Sequence, residues 1–317
     1  MKTKVFVDGE AGTTGLEIRE RLALRSDIEV IHIDPAQRKD VSARAECLNG
    51  ADVAFLCLPD DAARESAALV RNARTCVIDA STAHRSDPGW AYGVPELAPS
   101  YRSALRTGKR IANPGCHATG FVLGVRPLVE RGLLPPDFVL TCFSLTGYSG
   151  GGKKLIAAYS QSPLPASLQS PRPYALGLRH KHLPEMTAHT GLTAEPVFVP
   201  VVANFYRGLL LTIPLALRQF SKRLSPAEVH QILAETYAGE KFVRVLPFAD
   251  DSILDGESFD VQACNGTNRC DLALFANEDR LALMMRLDNL GKGASGAAIQ
   301  CMNLHLGLDE CVGLRAE

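Results

Sequence analysis

The chain has 317 residues, 46% hydrophobic and 22% charged, with a formal net charge of −1, which is the balance of a globular protein large enough for two cores. No block of Lys and Arg stands out, which argues against nucleic acid or anionic membrane as partner, and no apolar run approaches the roughly 20 residues of a membrane span. The first residues run directly into a strand-like segment with no signal-peptide h-region, so the cytoplasm is expected; the nine scattered cysteines read as free thiols, with no C-x-x-C and no zinc spacing.

Residues 4–8 form a short β-rich run, followed by Gly9-Glu10-Ala11-Gly12-Thr13-Thr14-Gly15 and a helical pattern with Ile18 and Leu22 four apart. Strand, glycine-rich turn and helix is the context of a dinucleotide-phosphate loop, in which the helix N-terminus faces the pyrophosphate. A tight turn without a ligand is the alternative. The next strand, 28–34, ends in Asp34, with Arg38 and Lys39 close behind. An acid there favours NAD and a base accommodates the 2′-phosphate of NADP, so the residues leave the choice open. Residues 51–59 read as a strand buried on both faces, with Asp60 or Asp61 as cap of a helix over 62–74. A further buried strand, 76–81, ends in polar residues followed by Thr82, His84 and Arg85; the arginine is an anion binder or a surface loop residue. The order βαβ(α)βαβ to about residue 115 predicts a doubly wound parallel sheet.

Asn113-Pro114-Gly115-Cys116-His117-Ala118-Thr119-Gly120 then places a cysteine between a turn and an apolar helical run. A helix N-terminus stabilises a thiolate; a small buried apolar thiol is the alternative. A strand over 138–145 leads into a loop with glycines at 147, 150, 151 and 152, approached closely by a partner or simply flexible. Residues 160–173, rich in Ser and Pro, read as an irregular flap. In His180-Lys181-His182-Leu183-Pro184-Glu185, extended geometry would put both histidines on one face of a strand. With no third clear ligand, general acid–base work is the better reading than metal.

The remainder is strand-rich: 196–205, 208–217, 242–248, 259–264, 271–276 and 281–287, with a hairpin connection at 277–280. Cys264 and Cys270 read as strand-end residues. A helix over 226–238 has Ser225 as N-cap, Pro226 at N1, Glu228 completing a capping box and Gly239 beyond its end. This predicts an α+β domain. A second glycine-rich helix start, Asp288-Asn289-Leu290-Gly291-Lys292-Gly293-Ala294-Ser295-Gly296, makes sense if the chain returns there to the nucleotide domain.

The glycine loop, Asn113-Pro114-Gly115-Cys116, the H-K-H-L-P-E segment, Tyr92-Gly93-Val94-Pro95-Glu96-Leu97 and Gly291-Lys292-Gly293-Ala294-Ser295-Gly296 occur here in one order. That combination resembles the N-acetyl-γ-glutamyl-phosphate reductases of arginine biosynthesis, in their shorter form. The wider superfamily includes aspartate-semialdehyde and glyceraldehyde-3-phosphate dehydrogenases, which lack the histidine segment. The resemblance implies an NADP-binding Rossmann domain over 1–115 plus 289–317, and an inserted α+β substrate and oligomerisation domain over 116–288. It implies NADPH-dependent reduction of an acyl phosphate, with release of inorganic phosphate, through a Cys116 thioester. His180 or His182 would serve as base, with His180 preferred, and Glu185 would orient the imidazole or face the substrate. Arg85, in a D-x-S-x-x-x-R segment with Asp79 and Ser81, would meet the substrate phosphate, with Ser81 and Asn113 beside it. Gly9, Gly12, Thr13, Thr14 and Gly15 would line the pyrophosphate, with Arg38 at the 2′-phosphate. Ser149, Gly150 and Gly151 would sit near the nicotinamide half, and Asn289, Gly291 and Gly293 would also bind the cofactor. A homodimer or homotetramer is implied. The alternatives are the same chemistry on N-acetyl-aminoadipyl or aspartyl phosphate, or a nucleotide-binding protein without catalysis. Residues 161–173 have no strong counterpart in the longer family members, and no role is carried over to them.

Overall fold

Apolar runs too long for a one-faced strand place the first sheet between two layers of helix. In the computed structural model, which describes residues 2–10 and 12–317, the first compact unit comprises Met1–Gly115 and Ala294–Leu314. Its strands are β1 (Thr3–Asp8), β2 (Ile28–Ile31), β3 (Val53–Leu56), β4 (Cys76–Asp79), β5 (Ala91–Tyr92) and β6 (Arg110–Ala112). All pair in parallel, in the order β2-β1-β3-β4-β6-β5. Every residue of β3 and β4 is buried, as expected of strands covered on both faces. The connecting helices are α1 (Thr13–Ala23), α2 (Val41–Gly50), α3 (Asp60–Leu69) and α4 (Pro99–Thr107). α3 begins earlier and is shorter than the predicted 62–74. Asp60 and Asp61 lie in its first turn, where they favour the dipole without capping, since Pro59 holds the N-cap position.

The second unit comprises Cys116–Gly293 and Arg315–Glu317. It contains α5 (Cys116–Glu130), β7 (Thr141–Gly147), α6 (Gly152–Tyr159), β8 (Arg172–Pro173), α7 (Leu183–Thr190), β9 (Val197–Ala203), β10 (Leu209–Ala216), α8 (Pro226–Thr236), β11 (Val243–Val245), β12 (Cys270–Asn277) and β13 (Arg280–Leu287). The mixed sheet runs β11-β12-β13-β10-β7-β9-β8. The Ser225–Glu228 capping box at α8 is present. The strand predicted over 259–264 is absent: residues 261–266 turn, and the buried Cys264 lies in that turn, its carbonyl accepting the Thr267 Oγ1 hydrogen bond at 2.7 Å. After β13 the chain makes a π-helical turn, Gly291–Ser295, and continues as α9 (Gly296–His305). Ala298, Ile299, Cys301 and Met302 of α9 join Val5, Val53, Phe55 and Ile78 in the core of the first unit.

α5 carries Cys116 and is seated on the second sheet by two glycines. A Cβ on Gly120 would lie 2.5 Å from Leu211 Cδ1, and one on Gly124 would lie 2.6 Å from Met285 Sδ, so a larger residue at either position would have to displace those side-chain ends. Pro127 sits inside the helix and has no N–H for the Leu123 carbonyl four residues back. Tyr237, at the C-cap of α8, supplies the missing donor: its hydroxyl bonds to Leu123 O at 2.5 Å. Tyr237→Phe leaves that carbonyl buried and unmet. It is expected to lower the unfolding free energy by about 1–3 kcal/mol, measured by urea denaturation.

Candidate active site

The glycine loop of the first unit separates packing from recognition. Gly9 has φ +87, and a Cβ there would fall 2.3 Å from Cys57 O; a Cβ on Gly15 would fall 2.6 Å from Gly9 O. Both glycines are required by the turn itself. Gly12 is not: a Cβ would meet only Gly9 O at 3.5 Å and Cys57 O at 3.7 Å, which is ordinary contact. Gly12 is the N-cap of α1 and gives the helix no side-chain cap, and Thr13 Oγ1 is buried with no hydrogen-bond partner among the described residues. An uncapped helix start with an unmet hydroxyl fits a dinucleotide pyrophosphate. Thr14 belongs to the same first turn, while Ala11 of the loop lies outside the described residues. Arg38 is exposed in the segment before α2, and Asp34 Oδ1 accepts a hydrogen bond from Ala36 N at 2.9 Å. At the end of β1, buried Asp8 accepts hydrogen bonds from Arg44 Nη2 at 2.9 Å and Ser66 Oγ at 2.5 Å, a group that no sequence spacing indicated.

Beyond β4 the D-x-S-x-x-x-R segment folds around its own carboxylate. Asp79 accepts from Ser81 N at 2.9 Å and Ser81 Oγ at 2.7 Å, and its Oδ2 lies 2.6 Å from His84 Nδ1. His84 stacks on Trp90 at 3.9 Å between ring centroids. Arg85 is buried, and its Nε and Nη2 donate to Asn113 O at 2.9 Å and Ala80 O at 3.1 Å. Asn113 Nδ2 donates to Ala294 O at 3.0 Å, while its Oδ1 is buried with no partner among the described residues. Ser81, Arg85 and Asn113 are therefore assembled at one place, with the arginine gripping the loop that leads to Cys116.

In the second unit Cys116 is the first residue of α5. Gly293 packs directly on it: a Cβ there would lie 2.6 Å from Cys116 Cβ. Ser149 Oγ accepts from Asn289 Nδ2 at 2.8 Å, and Asn289 Oδ1 accepts from Gly208 N at 2.9 Å. Gly150 lies beside Asn289, and Gly291 abuts Thr267 O. The two histidines of H-K-H-L-P-E do not lie on a strand as expected. Pro184 stands in the first turn of α7 and His182 is its N-cap, because proline suits the start of a helix. The turn brings the His180 and His182 rings to 4.6 Å. His180 Nδ1 accepts the His182 main-chain N–H at 3.1 Å, and His182 Nε2 lies 3.9 Å from Glu185 Oε1, with both side chains buried.

A third histidine completes the group, and sequence reading assigned it nothing although it follows the cysteine. The His117 ring is 5.5 Å from both His180 and His182. Its Nδ1 bonds Ser144 Oγ at 2.8 Å and its Nε2 bonds Tyr174 Oη at 3.0 Å. Phe198 closes the cluster against His117 and His180.

Two family models match the chain: the NAD binding domain of semialdehyde dehydrogenase over residues 32–104, and its dimerisation domain over 116–289. The N-acetyl-gamma-glutamyl-phosphate reductase 2 of Nostoc sp. is 48% identical over 325 residues, covering 99% of both chains. The N-acetyl-gamma-glutamyl-phosphate reductase of Mesorhizobium japonicum is 48% identical, covering 97% of this chain and all of its own. Among solved structures, aspartate semialdehyde dehydrogenase from Francisella tularensis shares the fold, with a TM-score of 0.72 at 14% identity over 95% of this chain and 99% of that one. The chain belongs to the semialdehyde dehydrogenase family and, within it, to the N-acetyl-gamma-glutamyl-phosphate reductases.

His117 is held neutral. Burial, above all, together with the nearby His180 and Lys181, pushes its pKa from 6.5 down to about 3. Below pH 6.5 the unfolded chain binds this proton and the folded chain does not, so the contribution to stability is complete above pH 6.5 and is lost as pH falls towards 3. The group alone is expected to lower the unfolding free energy by about 1.4 kcal/mol per pH unit within that window. His117→Gln should remove that part of the slope in urea denaturation followed against pH.

Proposed function

We propose that the chain reduces N-acetyl-L-glutamyl 5-phosphate to N-acetyl-L-glutamate 5-semialdehyde with release of phosphate, a step of arginine biosynthesis. The observation that carries this reading is Cys116 at a helix start, in one unit with a histidine paired to a buried carboxylate. Cys116 Sγ attacks the acyl carbon; the C–O bond to phosphate breaks and a thioester forms. NADPH, when bound, supplies the hydride. Collapse of the resulting thiohemiacetal alkoxide expels the Cys116 thiolate and the aldehyde.

His182 takes the thiol proton in this reading, in preference to His180. The His180 Nδ1 accepts a main-chain N–H, so its neutral ring carries the proton on Nε2 and offers a donor rather than a base. His182 has Glu185 beside it to favour the imidazolium. Arg85 and Asn113 receive the substrate phosphate and Ser81 supports them. Main-chain N–H groups at the start of α5 receive the oxyanion. The start of α1, with Gly12 and Thr13, receives the cofactor pyrophosphate, and Ser149 and Asn289 serve its nicotinamide half. The nine cysteines are free thiols, as suits the cytoplasm.

The second unit also supports a homodimer. The sheet face turned away from Ser144 and Leu211 presents Phe143, Leu145, Val199, Val201, Leu210 and Met284, which the registers β7↔β9, β7↔β10 and β10↔β13 set side by side. Phe143 is 47% exposed, and an apolar sheet face of this kind is suited to burial against a second copy.

Phosphate-dependent NADP reduction tests the chemistry. N-acetylglutamate 5-semialdehyde is expected to be turned over faster than its one-carbon-longer homologue, and Cys116→Ser to abolish turnover. His182→Asn should cost about 10²–10⁴-fold in kcat, and His180→Asn less. Turnover of aspartate semialdehyde in place of the N-acetylated substrate would overturn the reading. Phe143→Glu is expected to convert a dimer to a monomer in light scattering.

A further inference from the structure

The site described so far leaves Ser144, His117 and Tyr174 without a task, yet they form an unbroken hydrogen-bonded row beside the nucleophile. Ser144 Oγ is buried, and among the described residues its one side-chain partner is His117 Nδ1. A buried hydroxyl that fails to donate loses a hydrogen bond at the full desolvation cost. Its hydrogen therefore goes to Nδ1, and Nδ1 is an acceptor. The ring is neutral and has one N–H, which must then sit on Nε2 and donate to Tyr174 Oη. With its oxygen already accepting, Tyr174 has its own O–H left to give. The reverse orientation would spend the Tyr174 hydrogen on His117 and strand that of Ser144.

The direction of this row matters because of where it ends. His117 follows Cys116 on α5, and the Tyr174 ring lies 5.9 Å from that of His180. Burial raises the Tyr174 pKa and the Cys116 charge raises it further, so the hydroxyl keeps its proton. The phenol is held from the main chain as well. Arg172 and Pro173 pair with Val202 and Val201 at the sheet edge, and Tyr174 N donates to Pro200 O at 3.0 Å. The serine- and proline-rich stretch thus ends on the edge strand that delivers Tyr174.

We propose that Tyr174 donates a hydrogen bond to the acyl oxygen of the group held on Cys116, and that Ser144 and His117 are positioning residues that leave its hydrogen available for this. No proton leaves the tyrosine; the bond strengthens as the carbonyl oxygen gains negative charge on attack and again on reduction. This inference rests on the Cys116 thioester reading.

The test is a double-mutant cycle in the semialdehyde assay. Tyr174→Phe is expected to lower kcat about 10²-fold with the KM for semialdehyde within about threefold. Ser144→Ala should lower kcat about tenfold by freeing the ring to accept from Tyr174, and Ser144→Thr, which keeps the hydroxyl, should restore it. In the Tyr174→Phe background, Ser144→Ala should cost nothing more. A kcat for Tyr174→Phe within about threefold of the parent protein overturns the proposal, as do serine and tyrosine losses that multiply. Turnover surviving in Cys116→Ser would instead defeat the underlying reading, whatever the tyrosine variant does.

Discussion

The seating of α5 on the second sheet is the constraint on which the site depends. A helix start can hold a thiolate only if it is fixed in place. Here Gly120 and Gly124 bring the helix onto Leu211 and Met285, Gly293 closes on Cys116, and the Tyr237 hydroxyl bonds the carbonyl that Pro127 leaves open. None of these groups reacts. Together they pack the helix closely on the sheet, and a catalytic nucleophile displaced by an ångström loses much of its advantage.

Around that fixed point three histidines sit within 6 Å of one another and are given different electrical roles. His117 is kept neutral by burial. His180 is made a donor by the main-chain N–H on its Nδ1. His182 has the buried Glu185 carboxylate 3.9 Å from its Nε2. The three imidazoles therefore have different partners, which lets like side chains in one cluster serve different purposes.

Much of the first unit was legible because parallel strands buried on both faces are written as continuous apolar runs, and because strand, glycine turn and helix follow one another locally. The irregular elements were not. Residues 259–264 have a strand-like composition, but the chain turns there. The H-K-H segment alternates as a strand would, but Pro184 starts a helix and folds the two rings together. Arg85 could be matched to a motif, yet its bonds to Asn113 O and Ala80 O depend on strands β4 and β6 lying side by side.

By itself the sequence determined the class of chemistry: a cysteine at a helix start, a histidine pair and two glycine-rich helix starts are local patterns, set by neighbours a few residues apart. Only the tertiary structure decided which imidazole faces which partner. Ser144, His117 and Tyr174 come from β7, α5 and the edge beyond β8, and their order of donation follows from burial and hydrogen-bond completeness. Neither property exists until distant segments pack and water is excluded.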